Sequence, residues 1–70
     1  MDHTPVKSSH IKSVGHDPEN NILAITYHNG SMYHYHGVPK EKHAAMLKAD
    51  SIGKYLELNI KGTHRHSRVS

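Results

Sequence analysis

The chain has 70 residues, carries a formal charge of +3 at pH 7, and contains no cysteine, phenylalanine or tryptophan. A chain of this length forms one domain with a marginal core, and the lack of cysteine excludes disulfides and thiolate-bound zinc. No apolar run approaches the ~18 residues of a membrane span, and the amino terminus lacks the apolar segment of a secretion signal. We therefore expect a cytoplasmic protein with no membrane partner, whose mildly basic surface suits partners that carry phosphate.

The first half of the chain predicts strands. Residues 1–7 show no periodic apolar pattern and are predicted to be a flexible amino-terminal arm. Residues 8–16 predict a weak strand, and a bulge is expected in it because Ile11 and Val14 have opposite parity. After a predicted turn at residues 17–21, the run Ile22–Tyr27 is rich in β-branched and aromatic residues and predicts the strongest strand.

The turn at Asn29-Gly30 decides which side chains share a face of the sheet. A two-residue type I′ loop would place Tyr33 opposite Thr26. A three-residue loop, with Gly30 in the left-handed region as a bulge, would place Tyr33 opposite Ile25. We favour the three-residue loop because a sheet with one covered face gathers its large side chains on that face. The residues that this register gathers are Leu23, Ile25, Tyr27, Tyr33 and Tyr35.

Two short helices are predicted after the strands. Residues 39–49 place Pro39 in the first turn and strong helix formers after it. Asp50 or Ser51 then caps a second amphipathic helix. From Thr63 onward the sequence is polar and basic, so residues 63–70 are predicted to be a mobile tail.

The predicted fold is α+β, with a three-stranded antiparallel sheet (β-β-β) followed by two short helices packed on one face, within residues 8–62. The helices are expected to cover the face that carries Leu23, Ile25 and Tyr35. An open three-stranded sheet leaves two edges and a second face uncovered. We therefore expect the chain to form a homo-oligomer, which would cover them.

Four motifs in this chain are similar to the KTSC domain family. They are Ser9-x-Ile11-x-Ser13-Val14-Gly15-x-Asp17, Leu23-x-Ile25-x-Tyr27-x-Asn29-Gly30, Tyr33-x-Tyr35-x-Gly37-Val38-Pro39 and Ser51-x-Gly53-Lys54-Tyr55. The chain departs from the family pattern at His16, where an aromatic residue is usual, and at His34, where a charged residue is common. The family occurs at the carboxyl end of some lysyl-tRNA synthetases and as stand-alone bacterial and phage proteins. The resemblance therefore implies RNA binding and a bacterial or phage source.

Ser51, Gly53 and Lys54 open the second predicted helix and form a candidate phosphate site. Unpaired N–H groups at a helix start, a hydroxyl, a glycine that admits close approach and a lysine all favour an anion. Lys61 and Lys12 could add positive charge. The alternative is plain capping, in which Ser51 satisfies its own helix and Gly53 permits tight packing.

Tyr33 and Tyr35 lie two residues apart on one strand face, as a platform for stacking bases requires. In the favoured register both turn toward the helices, so the preferred interpretation is core packing with hydroxyls at the rim. Those hydroxyls, together with Tyr55, could still line a ligand pocket.

His34 and His36 share the opposite strand face, at a spacing that metal ligands can use. No acidic residue or cysteine has an obvious claim to complete the set of ligands, so neither a physiological metal nor a cofactor is predicted. The sequence also offers no activated nucleophile with an oxyanion loop, and we do not expect an enzyme.

The preferred function is a non-enzymatic, phosphate-recognising module that binds RNA through a basic rim. That rim comprises Lys12, Lys54, Lys61 and, in the tail, Arg65 and Arg68. The alternative is a small oligomeric protein of phage type that sequesters a signalling nucleotide, such as a cyclic dinucleotide or cyclic ADP-ribose. A second alternative is a protein-interaction domain that uses a sheet edge or the face with Met32, His34 and His36.

Overall fold

Five antiparallel strands and two helices make up the fold in the computed structural model, which describes residues 3–69. The elements are, in chain order, β1 (His3–Pro5), β2 (Ile11–Asp17), β3 (Ile22–Tyr27), β4 (Met32–His36), α1 (Lys40–Lys48), α2 (Ile52–Asn59) and β5 (His66–Arg68). The strands lie side by side in the order β1-β2-β3-β4-β5, and every neighbouring pair is antiparallel. The predicted α+β class and the two helices are therefore confirmed. Within residues 3–69, neither helix has the length and apolarity that crossing a membrane would require.

The prediction of three strands is wrong, because two short strands extend the sheet to five. Strand β1 lies within residues 1–7, the predicted arm, and β5 lies within residues 63–70, the predicted tail; residues 1, 2 and 70 lie outside the described part of the chain. Every residue of β1 and β5 is exposed. Main-chain hydrogen bonds hold these strands in the sheet, and they bury no apolar side chains. Their sequences therefore lack the apolar alternation from which strands are predicted.

The two added strands also change the argument for self-association. They cover the outer edges of β2 and β4, so that both edges of the sheet are now strands of three residues. Very short edge strands are one way in which proteins limit edge-to-edge pairing. The predicted homo-oligomer, which stays a prediction, now depends on the uncovered face of the sheet.

The β3–β4 turn has the predicted three-residue loop. The N–H of Tyr27 donates to the carbonyl of Ser31 at 2.8 Å. Gly30 has φ +92°, in the region that a side chain disfavours. The resulting cross-strand pairs are Leu23 with Tyr35 and Ile25 with Tyr33. The favoured register is therefore confirmed, and the large side chains share one face.

A register shift in β2 confirms the predicted bulge. It lies between Ile11 and Ser13 in the pairing with β3. Because of it, Ile11 and Val14 both enter the core despite their opposite parity, with exposed fractions of 1% and 0%.

Both helices cover the predicted face of the sheet. The buried core comprises Ile11, Val14, Leu23, Ile25, Tyr35, Val38, Met46, Leu56 and Ile60. Met46 comes from α1 and Leu56 from α2. Burial of such side chains contributes about 1.5–3 kcal/mol each, and the sheet and both helices meet in this one cluster.

His64 anchors the chain between α2 and β5. Its Nδ1 atom lies 3.1 Å from the carbonyl oxygen of His36, which can only accept a hydrogen bond, so Nδ1 carries the proton. Its Nε2 atom therefore has a lone pair and accepts from the Lys42 ammonium at 2.8 Å. One side chain thus connects β4, α1 and the segment that leads into β5.

Candidate functional site

A cleft of about 560 Å³ lies along α2, and we call it the α2 cleft. One wall is the loop between β1 and β2, and the other runs along α2, from Ser51 just before its start to Lys61 beyond its end. The lining residues are Ser8, Ser9, His10, Tyr27, Ser51, Gly53, Lys54, Leu56, Glu57 and Lys61. Four of the predicted site residues therefore share one cleft: Ser51, Gly53, Lys54 and Lys61.

Ser51 caps α2, as one of the two interpretations of this segment predicts. Its Oγ atom accepts a hydrogen bond from the N–H of Lys54 at 3.3 Å. A serine hydroxyl retains a donor proton when it accepts a bond, so capping leaves Ser51 able to donate to a ligand. The first-turn amides of Ile52 and Gly53 have no carbonyl one turn earlier to bond. Capping and anion recognition are therefore compatible here.

Gly53 is not sterically required at its position. A Cβ atom added there would lie 4.0 Å from the Ser8 Oγ atom, an ordinary van der Waals distance. The glycine widens the cleft, but the packing of the loop against α2 does not depend on it.

The loop of residues 8–10 is a part of the cleft that sequence reasoning missed. The Ser8 Oγ atom accepts hydrogen bonds from the N–H groups of His10 and Ile11, both at 3.3 Å. The Nε2 atom of His28 donates to the Ser8 carbonyl oxygen at 2.9 Å. Serine hydroxyls commonly organise such turns, so the Ser8-Ser9 pair carried a signal for a structured loop.

A second cleft, of about 480 Å³, adjoins the first, and we call it the tyrosine cleft. It is lined by Tyr27, Asn29, Ser31, Tyr33, Tyr35, Lys61, Gly62 and His66. Tyr27 and Lys61 line both clefts. The two clefts therefore form one continuous surface with a lysine and serine end and an aromatic end.

The rings of the tyrosine cleft contact one another in sequence. Tyr27 and Tyr33 meet edge to face, with centroids 5.7 Å apart. His66 lies 5.9 Å from Tyr33 and 5.5 Å from Tyr35, measured between ring centroids. Sequence reasoning missed Tyr27 and His66, because their place in the cleft depends on the turn of the hairpin and on the docking of β5.

Tyr33 and Tyr35 have different roles in this cleft. Tyr35 is only 2% exposed, and its hydroxyl lies 3.5 Å from that of Tyr27. Burial raises the pKa of the Tyr35 hydroxyl, and the contact with Tyr27 raises it further. Tyr35 is thus a neutral back wall, whereas Tyr33 is half-buried and can contact a ligand.

Four of the predicted site residues line neither cleft: Lys12, Tyr55, Arg65 and Arg68. Lys12 lies within the bulge of β2, and Tyr55 packs against the core. Arg68 lies at the rim of the tyrosine cleft, where its Nη2 atom donates to the Ser31 Oγ atom at 3.4 Å. Of the five cations in the predicted basic rim, Lys54 and Lys61 thus line one cleft and Arg68 lies at the rim of the other.

The α2 cleft also contains an acidic residue. Glu57 lies on α2 between Lys54 and Lys61 in the sequence and lines the same cleft. No acidic residue lies in the first turn of α2, so the positive end of the helix dipole there is not already neutralised. The cleft carries two lysine charges against one carboxylate charge.

His34 and His36 lie on the sheet face away from the helices, alternating with the two tyrosines of β4. The His36 Nε2 atom forms a hydrogen bond of 3.3 Å with the Ser67 Oγ atom. Within residues 3–69, no three histidine, cysteine, aspartate or glutamate side chains come together in a way that could hold a metal ion.

Fold and clefts together define a small α+β module whose helices cover one sheet face and leave a lysine and tyrosine surface open beside them. The KTSC domain family matches residues 7–64. The chain belongs to that family, as the resemblance of its motifs predicted.

Two proteins and one solved structure of a KTSC domain are similar to this chain. The chain is similar to a protein of Stutzerimonas stutzeri, with 38% identity over 70 residues that cover 99% of each chain. It is also similar to a protein of Tsukamurella paurometabola, with 38% identity over 61 residues that cover 87% of this chain and 91% of the other. The crystal structure of a KTSC domain protein from Yersinia pestis matches with a TM-score of 0.91 and 36% identity, covering 99% of this chain and 97% of the other.

Proposed function

We propose that this KTSC domain is a non-enzymatic module that recognises phosphate and binds RNA. The observation that supports the proposal best is that Ser51 and Lys54, at the first turn of α2, line one cleft with Lys61, which lies beyond the other end of the helix. Unpaired first-turn amides, a hydroxyl donor and two ammonium groups are the donors that a phosphate group accepts from.

The shape of the surface favours a strand over a small enclosed ligand. Both clefts are open to solvent and adjoin at Tyr27 and Lys61. A signalling nucleotide such as a cyclic dinucleotide or cyclic ADP-ribose is bound best in a pocket that buries most of its surface. This chain would need a second copy to enclose such a ligand, whereas an RNA strand can follow an open surface.

The arrangement of serines and histidines supports a role without catalysis. Among the described residues, His36 and Ser67 form the one hydrogen bond that joins a serine hydroxyl to a histidine ring. Both lie away from the two clefts. An activated nucleophile needs such a base within the site that holds the substrate.

A cytoplasmic location, where RNA is available, is part of the same proposal.

Self-association is a separate part of the proposal. The outer face of the sheet presents the partly exposed side chains of Ile22, Met32 and His34, which are not part of the buried core. Native mass at two protein concentrations tests it, because a monomer at both would contradict the prediction.

Salt-dependent binding to a single-stranded RNA of about 12 nucleotides tests the main proposal. Two neutralised phosphates predict a slope of log K against log salt of about −1.4, or a roughly sevenfold loss between about 50 and 200 mM salt. Lys54→Gln or Lys61→Gln should each reduce the magnitude of the slope by about 0.7. Lys48→Gln, an exposed lysine of α1 outside both clefts, is the matched control. An absence of binding at the lowest salt would refute the proposal.

A further inference from the structure

We propose that the tyrosine cleft binds one unpaired nucleobase whose phosphate lies in the α2 cleft. The inference rests on the proposed phosphate recognition and extends it, since it names the part of the ligand that gives preference for a nucleotide over phosphate alone. A base on a single strand and a base on a free nucleotide share this chemistry.

The aromatic lining of the tyrosine cleft suits a stacked nucleobase. Tyr27 and Tyr33 are half-buried, and His66 is exposed, so these rings keep accessible surface while the buried Tyr35 supports them from behind. Side chains of this kind stack on nucleobases because every base has a π-face. The volume of about 480 Å³ lies within the range of about 300–1,000 Å³ found for ligand pockets.

The rim of the tyrosine cleft offers hydrogen-bond donors to the edge of a base. The Asn29 Oδ1 atom accepts from the N–H of Ser31 at 2.9 Å, so the amide NH₂ group of Asn29 still has donors to offer. The Ser31 Oγ atom accepts from Arg68 and retains its own proton. A flat ring with carbonyl or ring-nitrogen acceptors therefore matches this rim.

Lys61 connects the base and the phosphate. It lines both clefts, on the chain segment between α2 and β5. A ligand with a base and a phosphate joined through a sugar can place one group on each side of this lysine. Inorganic phosphate would engage only the α2 cleft.

Base pairing would block this arrangement. In a duplex the bases are stacked inside and present only their edges, so no base can enter a cleft between aromatic rings. The cleft therefore predicts a preference for unpaired RNA over a duplex of the same length.

The test compares four probes: a uridine strand of about 12 nucleotides, an abasic ribose-phosphate strand of equal length, an RNA duplex, and uridine monophosphate. We expect the uridine strand to bind roughly 5- to 150-fold more tightly than the abasic strand, the range that one stacked base supplies. Tyr33→Leu should lower the affinity for the uridine strand toward that of the abasic strand and leave abasic binding unchanged. Tyr33→Phe, which keeps the ring, should retain the preference.

A second variant keeps the test decisive if Tyr33→Leu does not fold. His66 is exposed, and His66→Ala removes one ring of the cleft without opening the core; it should reduce the same preference. Tyrosine fluorescence should fall on binding of the base, and the chain has no tryptophan to mask it.

The outcomes separate this inference from the proposed function. Equal affinity for the uridine and abasic strands, unchanged by either variant, overturns the base site and leaves phosphate recognition intact. If neither strand nor the mononucleotide binds at low salt, both proposals fall. Binding of uridine monophosphate as tight as that of the strand, with the same loss in Tyr33→Leu, supports the base site and assigns it to a free nucleotide.

Discussion

His16 and His43 stack with their ring centroids 5.2 Å apart and their planes inclined by 12°. His16 lies on β2 and His43 on α1, so the pair connects the sheet to the first helix. The His16 Nε2 atom lies 2.6 Å from the carbonyl oxygen of Val38 and carries the proton of that hydrogen bond. Within the described residues, the buried Nε2 atom of His43 has no hydrogen-bond partner. A positive charge on His43 would therefore lie on a half-buried ring that has one unpartnered nitrogen and that stacks on another imidazole.

The His43 site predicts a loss of stability in mild acid. Burial lowers the pKa of His43 below its ordinary value of 6.5, and the neighbouring His16 lowers it further. The unfolded chain therefore binds this proton at a higher pH than the folded chain does. The stabilisation linked to the neutral form of His43 is fully present well above pH 6.5. It declines as the pH falls through 6.5 toward the lowered pKa of His43 in the folded chain. Urea unfolding at about pH 7.5, 6.5 and 5.5 should show the free energy of unfolding decreasing.

The chain has nine histidines, so the effect of His43 is measured by difference. His43→Leu should flatten the dependence of stability on pH, because it removes the half-buried group whose pKa is lowered. His10→Gln, which replaces an exposed histidine, should retain the wild-type dependence. An unchanged pH dependence in His43→Leu would show that burial of this ring is not linked to stability.

Two glycines predict opposite effects of the same substitution. Gly30→Ala introduces no clash, since nothing lies within 4 Å of the added Cβ atom, but φ is +92°. The left-handed backbone should cost about 1–2 kcal/mol of stability. Gly53→Ala lies in a helix with ordinary contacts and should stabilise by up to about 1 kcal/mol. Chemical denaturation of both variants beside the wild type measures the difference, and a loss of stability in Gly53→Ala would contradict the packing described for the α2 cleft.

The sequence predicted the hairpin and α2 well because local and tertiary signals agree there. At Gly30 the turn chemistry and the apolar pattern of Leu23 and Ile25 indicate the same register. Ser51 caps α2 at the position where a side-chain oxygen is preferred. Strands β1 and β5 were missed, because exposed residues paired through the main chain carry no apolar period.

Only part of the candidate site could be predicted from the sequence, because some of its residues are brought together by tertiary contacts. Ser51 and Lys54 are close in the chain at the start of α2, so their proximity follows from that helix, whereas Lys61 lies beyond its other end. His66 reaches the tyrosine cleft only because β5 docks on β4, a contact that no local pattern indicates. Lys12 is charged and exposed, but the bulge that contains it lies outside both clefts.

Removing the negative charge of Glu57 is predicted to strengthen binding of RNA. Its carboxylate lines the α2 cleft with Lys54 and Lys61 and should oppose a bound phosphate. Glu57→Gln should tighten binding of the uridine strand severalfold at low salt, and the gain should shrink as salt screens the charges. Glu41→Gln, in the first turn of α1 and outside both clefts, should change affinity little. Equal gains in both variants would indicate an effect of net charge alone.

We predict that the side chain of His64, through its hydrogen bonds to Lys42 and to the His36 carbonyl oxygen, controls the docking of β5. His64→Ala removes the hydrogen bonds to the His36 carbonyl and to the Lys42 ammonium. Two net hydrogen bonds of about 1 kcal/mol each predict roughly 30-fold faster exchange of the amide protons that hold β5. Those amides are His36 N–H, bonded to Arg65 O at 2.7 Å, and Val69 N–H, bonded to Met32 O at 2.9 Å.

Lys42→Met separates the two hydrogen bonds of His64, since it removes the one from the ammonium and keeps the one to the His36 carbonyl oxygen. It also removes the bond of 3.3 Å that the ammonium donates to the Asn59 carbonyl oxygen. Exchange of the same amides should then accelerate by an intermediate factor, while amides between β2 and β3 keep their wild-type rates. Unchanged exchange in His64→Ala would show that main-chain pairing alone holds β5. Because β5 carries His66 into the tyrosine cleft, a loosened β5 should also weaken the preference for the uridine strand over the abasic strand. The abasic strand, which needs only the α2 cleft, should bind His64→Ala as it binds the wild type.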